Sequence, residues 1–193
     1  PAKSQFDFDN QGDYIQYLKD QNFRSYKRKE VQAKGKMTYR MEVVKSVEEC
    51  IIANFLLFNG VNYEYEFPYE HDTASEEFRQ YKPDFTVMQN GKKVYIEHFG
   101  ISKSGNVPSW FSGDSPRSAS EKYLDDMKWK RDIHKSNGTT LIESYSYEMS
   151  EGVLFGNLTK NLRAVGIILK PKSPEEIWKI ISRKKLFKKS RKE

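Results

Sequence analysis

An α/β fold is predicted for this chain, with its core elements in the order helix, three strands, helix, strand, helix. Three observations predict it. A capped apolar helix pattern occupies 46–58, two alternating segments flank Asn90-Gly91, and a second helical period over 119–135 leads through Asn137-Gly138 into another short apolar segment. A length of 193 residues accommodates this as one domain with accessory elements.

Residues 1–44 are polar and mixed in charge, with a helical stretch at 13–34 and a basic run Lys27-Arg28-Lys29, and read as an accessory arm. The core, 45–170, opens at Ser46, a helix N-cap with Glu49 three residues on, and its apolar stretch 50–58 ends at Asn59-Gly60. Alternating aromatic and acidic residues at 61–68 predict a strand, as do 82–88 and 92–99, the last two forming a hairpin. Residues 101–118, rich in Ser, Gly and Pro, predict a loop before the helix at 119–135. A strand at 139–145 and a helix at 151–165, stopped by Gly166, complete the core. In the final segment, 171–193, Ser173 and Pro174 open a helix that ends in a basic run from Arg183.

The charged fraction is 31%, but 14% aromatic residues supply the apolar surface that a disordered chain lacks. A net charge of +6 suits a polyanionic partner without identifying one. The single cysteine, Cys50, can form no internal disulfide and belongs to no zinc-ligand pattern, so a reducing compartment and a packing role are expected for it. The sequence offers no signal-peptide pattern, no bilayer-length apolar run and no lipidation motif, which predicts a cytoplasmic protein with no membrane partner. It opens on Pro1 rather than Met, read as a fragment of a larger protein.

The hairpin yields candidate site residues by counting. If Asn90-Gly91 is a two-residue type I′ turn, Gln89 pairs with Lys92, and the register runs outward through Val87 with Val94 and Phe85 with Ile96 to Asp84 with Glu97. Phe85, Val87, Val94 and Ile96 then share an apolar face, while Asp84, Thr86, Tyr95 and Glu97 share the other. Opposed carboxylates have β-carbons roughly 5 Å apart and repel unless one is protonated or a cation lies between them. Two readings stand: acids that face solvent and tolerate the repulsion, or hard oxygen ligands for Mg²⁺ or Mn²⁺.

Glu49 shares a stripe with Ile52, Ala53 and Leu56, at the edge of the helix face that packs on the sheet, and it is also the capping partner of Ser46. On the second long helix, Tyr123, Met127, Lys130 and His134 fall within one arc at about 100° per residue, whereas Lys128 points away. An inward lysine either snorkels past apolar surface or reaches the carboxylates and a water beside them. His134 reads as a satisfied structural histidine, since three scattered histidines make no zinc cluster.

Lys82-Pro83-Asp84-Phe85 followed by Tyr95-Ile96-Glu97-His98-Phe99-Gly100 resembles the signature of the PD-(D/E)XK nucleases, and the correspondence covers roughly 46–145. The resemblance implies a restriction endonuclease-like αβββαβ core, with a mixed central sheet flanked by helices and with helical extensions at both ends. It implies Mg²⁺- or Mn²⁺-dependent hydrolysis of DNA, with Asp84 and Glu97 on the metal, Glu49 assisting, and a lysine orienting or activating the attacking water. Phe99 stands where the family's lysine belongs. Some branches with a similar Glu-aromatic-Gly ending supply the lysine from the next helix, which makes Lys130 the candidate. Without such a lysine the domain would be an inactive module that binds DNA.

A narrower resemblance rests on Val44-Lys45-Ser46-Val47-Glu48-Glu49, Ile52-Ala53-Asn54-Phe55-Leu56, the segment from Gly60 through Glu66, Trp129-Lys130-Arg131 and Leu141-Ile142-Glu143. These are similar to a nuclease-like segment inserted in bacterial UvrD/Rep-type superfamily 1 helicases. That implies helicase motor domains and DNA as partners, and a setting in DNA repair. The chain holds no Walker A pattern, so ATP would be bound by the parent helicase and not here.

Overall fold

Asn90 and Gly91 take φ of 51° and 76°, the two left-handed conformations that a type I′ turn requires. The register they impose is the one counted from the sequence, from Gln89 with Lys92 to Phe85 with Ile96. The computed structural model describes residues 35–75, 79–107 and 116–189, with the side chains of 116–119 and 184–189 outside that description. The helix expected at 13–34, the run Lys27-Arg28-Lys29, residues 108–115 of the loop expected at 101–118 and the end of the C-terminal basic run fall outside it too, while 116–118 belong to a helix and not to that loop.

The chain forms two compact units, one spanning Ile51–Pro171 and the other made of the flanking segments up to Cys50 and from Lys172. In the flanking unit, strands β1 (Lys36–Met37) and β2 (Val43–Val44) pair antiparallel inside the segment expected to be an arm. Helix α1 (Val47–Phe58) starts there. The Glu49 amide donates to Ser46 Oγ at 3.0 Å, and the Glu49 carboxylate accepts the amide of Lys45 at 3.1 Å, so the helix start is tied from both sides. The Cys50 thiol donates to the Met37 carbonyl at 3.5 Å.

Within Ile51–Pro171 follow β3 (Tyr63–Tyr65), β4 (Phe85–Gln89), β5 (Lys92–Phe99), helix α2 (Pro116–Ser136), β6 (Thr140–Tyr145) and helices α3 (Ser146–Ser150) and α4 (Leu154–Ala164). The sheet order is β3-β4-β5-β6, antiparallel except for the parallel pair β5-β6, which gives the mixed sheet. One face buries Phe85, Val87, Val94, Ile96 and Ile142 against Ile52 and Leu56 of α1 and Leu154, Leu158 and Leu162 of α4. Each such side chain taken from water contributes about 1.5–3 kcal/mol, and this face is the main core. In the flanking unit, α5 (Pro174–Lys189) is capped by Ser173, whose amide donates to Glu176 Oε2 at 2.8 Å.

Several boundaries differ from the sequence expectation for local reasons. The strand expected at 61–68 stops after Tyr65 because Glu66 turns to a φ of 47°. The strand expected from 82 begins at Phe85, since Pro83 has no N–H for a ladder. A separate α3 follows β6 directly, and Gly152, at φ 72°, divides it from α4, so the helix expected from 151 starts at Leu154. Among the described residues, no helix is long and apolar enough to cross a membrane.

Candidate active site

The second face of the sheet carries the acids. The ladder between β4 and β5 ends at the Phe85–Ile96 pair, with Asp84 next in the chain and its Oδ2 on the His98 amide, and the parallel ladder sets Glu97 beside Glu143. Glu97 and Glu143 therefore form a row across β5 and β6 on the side of the sheet opposite the main core, with Asp84 at its end, just ahead of β4. Helix α2 lies over them and buries Met127 and His134. Two aromatic clusters flank the row, Tyr69, Tyr81 and Tyr95 with Trp129 on one side and Phe99 and Met127 with Tyr123 and Tyr145 on the other.

Two consecutive cations of α2 meet two consecutive acids of the row. Lys130 Nζ donates to Glu97 Oε2 at 2.8 Å and lies 3.3 Å from Asp126 Oδ2. Arg131 donates to Glu143 through Nε and Nη2 at 2.6 and 2.8 Å, a bidentate pair, and Glu143 also accepts the Tyr145 hydroxyl. The ring of Phe99 underlies both cations, 5.7 Å from Lys130 Nζ and 5.6 Å from the Arg131 guanidinium carbon. Phe99, on β5, thus supports a lysine that arrives from the helix. The cation expected of Lys130 is at the carboxylates, whereas Lys128 is exposed and paired with Asp132.

Glu97 is the most constrained member. Its side chain is 1% exposed, and both oxygens accept, Oε1 from the Tyr81 hydroxyl at 2.7 Å and Oε2 from Lys130. Burial pushes its carboxyl above the ordinary carboxylate range, against the pull of Lys130 and Tyr81. Burial pulls Lys130 down, but Glu97, Asp126 and Asp84 together outweigh it and hold the ammonium protonated above its ordinary value. With an ammonium 2.8 Å from Oε2, Glu97 is the anion of an ion pair. Burial also pushes Glu143 up, and the hydrogen bonds from Arg131 and Tyr145 overcome it, leaving that carboxyl below its ordinary value. Asp84 is half-buried, and its Oδ2 accepts the backbone N–H of His98 at 2.8 Å.

The fit to a divalent cation can be judged from the donors. Among the described residues no three His, Cys, Asp or Glu side chains converge as a complete ligand cluster. Mg²⁺ and Mn²⁺ need no such cage, because one or two carboxylates suffice when water and phosphate oxygens complete the shell. Asp84 and Glu97 offer hard oxygens of that kind, and burial disfavours the charge on Glu97, which a neighbouring cation relieves. Thr86, two residues along from Asp84, is 2% exposed and its hydroxyl has no hydrogen-bond partner, an orphaned buried oxygen in the same stretch of chain. The residues fit a hard cation completed by its substrate.

His134 occupies the structural position expected of it. Nε2 lies 3.2 Å from the Tyr81 hydroxyl and Nδ1 lies 2.8 Å from Thr139 Oγ1. Burial pulls its imidazole from 6.5 to about 4. The folded chain keeps His134 neutral at pH values where the unfolded chain has taken up a proton, so its contribution is complete above pH 6.5 and is lost as the pH falls toward 4. The loss is on the order of 3 kcal/mol. Thermal melts at pH 7 and 4.5 should show a smaller acid-induced decrease for His134→Gln than for the unmodified chain; equal decreases would assign the acid sensitivity to other groups.

Glu49 belongs to the flanking unit, where its amide donates to Ser46 Oγ and its carboxylate accepts the amide of Lys45, one residue before the Ser46 amide that a capping box would use. Counting from the sequence missed Tyr81, Asp126, Arg131 and Glu143. Asp126 was within reach of it, since it sits four residues before Lys130 on the same helix face. A scan against protein-family models, a search of curated proteins and a search of solved structures each found no match to this chain.

Proposed function

We propose that the Ile51–Pro171 unit is a restriction endonuclease-like domain that hydrolyses DNA phosphodiesters with Mg²⁺ or Mn²⁺, as the nuclease-like part of a bacterial UvrD/Rep-type DNA helicase. The observation that carries the reading is the 2.8 Å contact between Lys130 and Glu97, which supplies on the acid face the cation that Phe99 withholds from β5. The mixed sheet and the position of Asp84 and Glu97 at the open end of the β4–β5 hairpin support it further.

In this reading Asp84 and Glu97 hold the cation. When bound, the cation supplies positive charge that polarises the phosphodiester and acidifies water. Lys130, kept protonated by the surrounding carboxylates, sets a fixed charge where the phosphate gathers negative charge in the transition state. The aromatic clusters beside the row exclude bulk water and strengthen these interactions. Glu49 belongs to the other compact unit, so the proposal rests on Asp84, Glu97 and Lys130. ATP and the motor domains belong to the parent helicase.

One observation favours a second reading, an inactive module of the same fold that holds DNA beside the motor. Both oxygens of Glu97 already accept protein donors. Both readings predict DNA binding whose affinity falls steeply with salt, with a slope of about −0.9 for each duplex phosphate neutralised. Binding titrations from low to moderate salt check this, and affinity that ignores salt argues against both. A cleavage assay with Mg²⁺ or Mn²⁺ on single-stranded, duplex, forked and flapped DNA, with the domain alone and within its parent protein, separates them.

A further inference from the structure

The polar contacts behind Glu97 form a continuous chain. Tyr69 Oη lies 2.5 Å from Thr139 Oγ1, Thr139 Oγ1 lies 2.8 Å from His134 Nδ1, His134 Nε2 lies 3.2 Å from Tyr81 Oη, and Tyr81 Oη lies 2.7 Å from Glu97 Oε1. Tyr69, Tyr81 and His134 are buried, and their rings pack on one another at 5.0–5.6 Å. Their sequence positions are scattered, yet each polar atom meets the next.

Donor counting gives the direction, with the one competing acceptor, the His134 carbonyl, farther from Thr139 Oγ1 at 3.4 Å than Nδ1 at 2.8 Å. The ammonium of Lys130 on Oε2 makes Glu97 the anion, so Tyr81 spends its one proton on Oε1. The Tyr81 oxygen can then only accept from His134, which places the imidazole proton on Nε2. Nδ1 becomes an acceptor and takes the Thr139 hydroxyl proton, and the Thr139 oxygen accepts from Tyr69. Every donor points toward Glu97, an arrangement in which successive hydrogen bonds polarise one another.

We infer that Tyr81 and His134 are positioning residues for Glu97: a one-way hydrogen-bond chain from Tyr69 through Thr139, His134 and Tyr81 fixes the carboxylate plane so that Glu97 presents itself to a cation in a single orientation. The role toward a cation rests on the function proposed above; the direction of the chain does not. Tyr81 and Lys130 hold one oxygen each, so the carboxylate cannot rotate without breaking a contact. Partners of this kind behind a metal ligand change metal affinity by about 10- to 100-fold when removed.

Two measurements test this. Long-range ¹H–¹⁵N correlation spectra of the unmodified chain at pH 7 should show His134 as the Nε2–H tautomer; an Nδ1–H tautomer or a charged ring would overturn the chain, whatever the domain catalyses. Mn²⁺ alone, titrated by calorimetry or by its paramagnetic resonance signal at a temperature where both proteins are folded, should bind at least tenfold more weakly to Tyr81→Phe than to the unmodified chain. His134→Gln, whose amide also carries one donor and one acceptor, should lose less affinity than His134→Leu. Unchanged Mn²⁺ affinity in Tyr81→Phe sinks the positioning role, and an unmodified chain that binds no Mn²⁺ sinks it together with the metal site. An unmodified chain that binds Mn²⁺ with the expected tautomer and yet cuts no DNA form overturns only the nuclease reading.

Discussion

Asp84→Asn and Glu97→Gln are each expected to bring Mg²⁺- or Mn²⁺-dependent DNA cleavage down to background, about 10³-fold or more, while the fold is kept. The substituted side chains keep size and shape but lose the anionic oxygen that a hard cation requires. Asparagine at 84 can still accept the His98 N–H, and glutamine at 97 can still accept the Tyr81 hydroxyl, so neither change strands a backbone or ring donor. Lys130 retains Asp126 as a partner in Glu97→Gln. DNA binding measured without metal should survive in both and can tighten, because each change removes a negative charge facing phosphate. Cleavage rates, circular dichroism and metal-free DNA titrations on the same preparations check the three statements; a Glu97→Gln protein that cuts at the unmodified rate sinks the site.

Lys130→Met is expected to act on both rate and stability. Losing a positioned charge should slow cleavage by about 10²-fold or more. The same substitution leaves Glu97 buried without its counter-charge, which costs about 3 kcal/mol, at the low end for a buried pair because Lys130 keeps 21% of its side chain exposed. The pH dependence distinguishes this from lost packing. Without Lys130 the Glu97 carboxyl rises further above the ordinary range, so the folded state keeps a proton where the unfolded state has shed it. Stability then falls as the pH rises through that window, and the deficit relative to the unmodified chain should narrow as the pH is lowered from 7 to 5. Adding Glu97→Gln should recover most of the deficit, because the stranded charge is gone. Denaturant melts of the single and double variants at both pH values check it, and additive losses would mean that the contact contributes little.

The parts of this site that could be read from sequence are those governed by local chemistry. Asn90-Gly91 permits few turn geometries, so counting alone gave the observed register from Gln89 with Lys92 to Phe85 with Ile96, the pair next to Asp84 and Glu97. Helical spacing placed Lys130 and His134 on one inward arc for the same reason. Glu143 was not legible as the third acid of the row, because β6 pairs parallel with β5 across α2 and no turn fixes that register. Tyr81 was equally hidden. It precedes β4 in irregular chain, and its carbonyl is held by the Tyr69 amide at 2.9 Å, a contact between two loop segments that follows from no periodicity. The hairpin of β1 and β2 escaped notice because strands of two residues leave too little pattern to detect.

The support of Lys130 and Arg131 by Phe99 also bears on when the site exists. Asp84 and Glu97 lie at the two ends of one hairpin, so they are brought toward each other when that hairpin closes, an event on the scale of microseconds. Their cation lies 33 residues further along the chain and reaches Glu97 only after α2 has docked. A lysine on β5 itself would have completed the constellation locally, at any stage of folding and in any partly opened form. With the charge on α2, the ion pair of Lys130 and Glu97 forms only in the assembled tertiary structure, and the hairpin alone does not provide it.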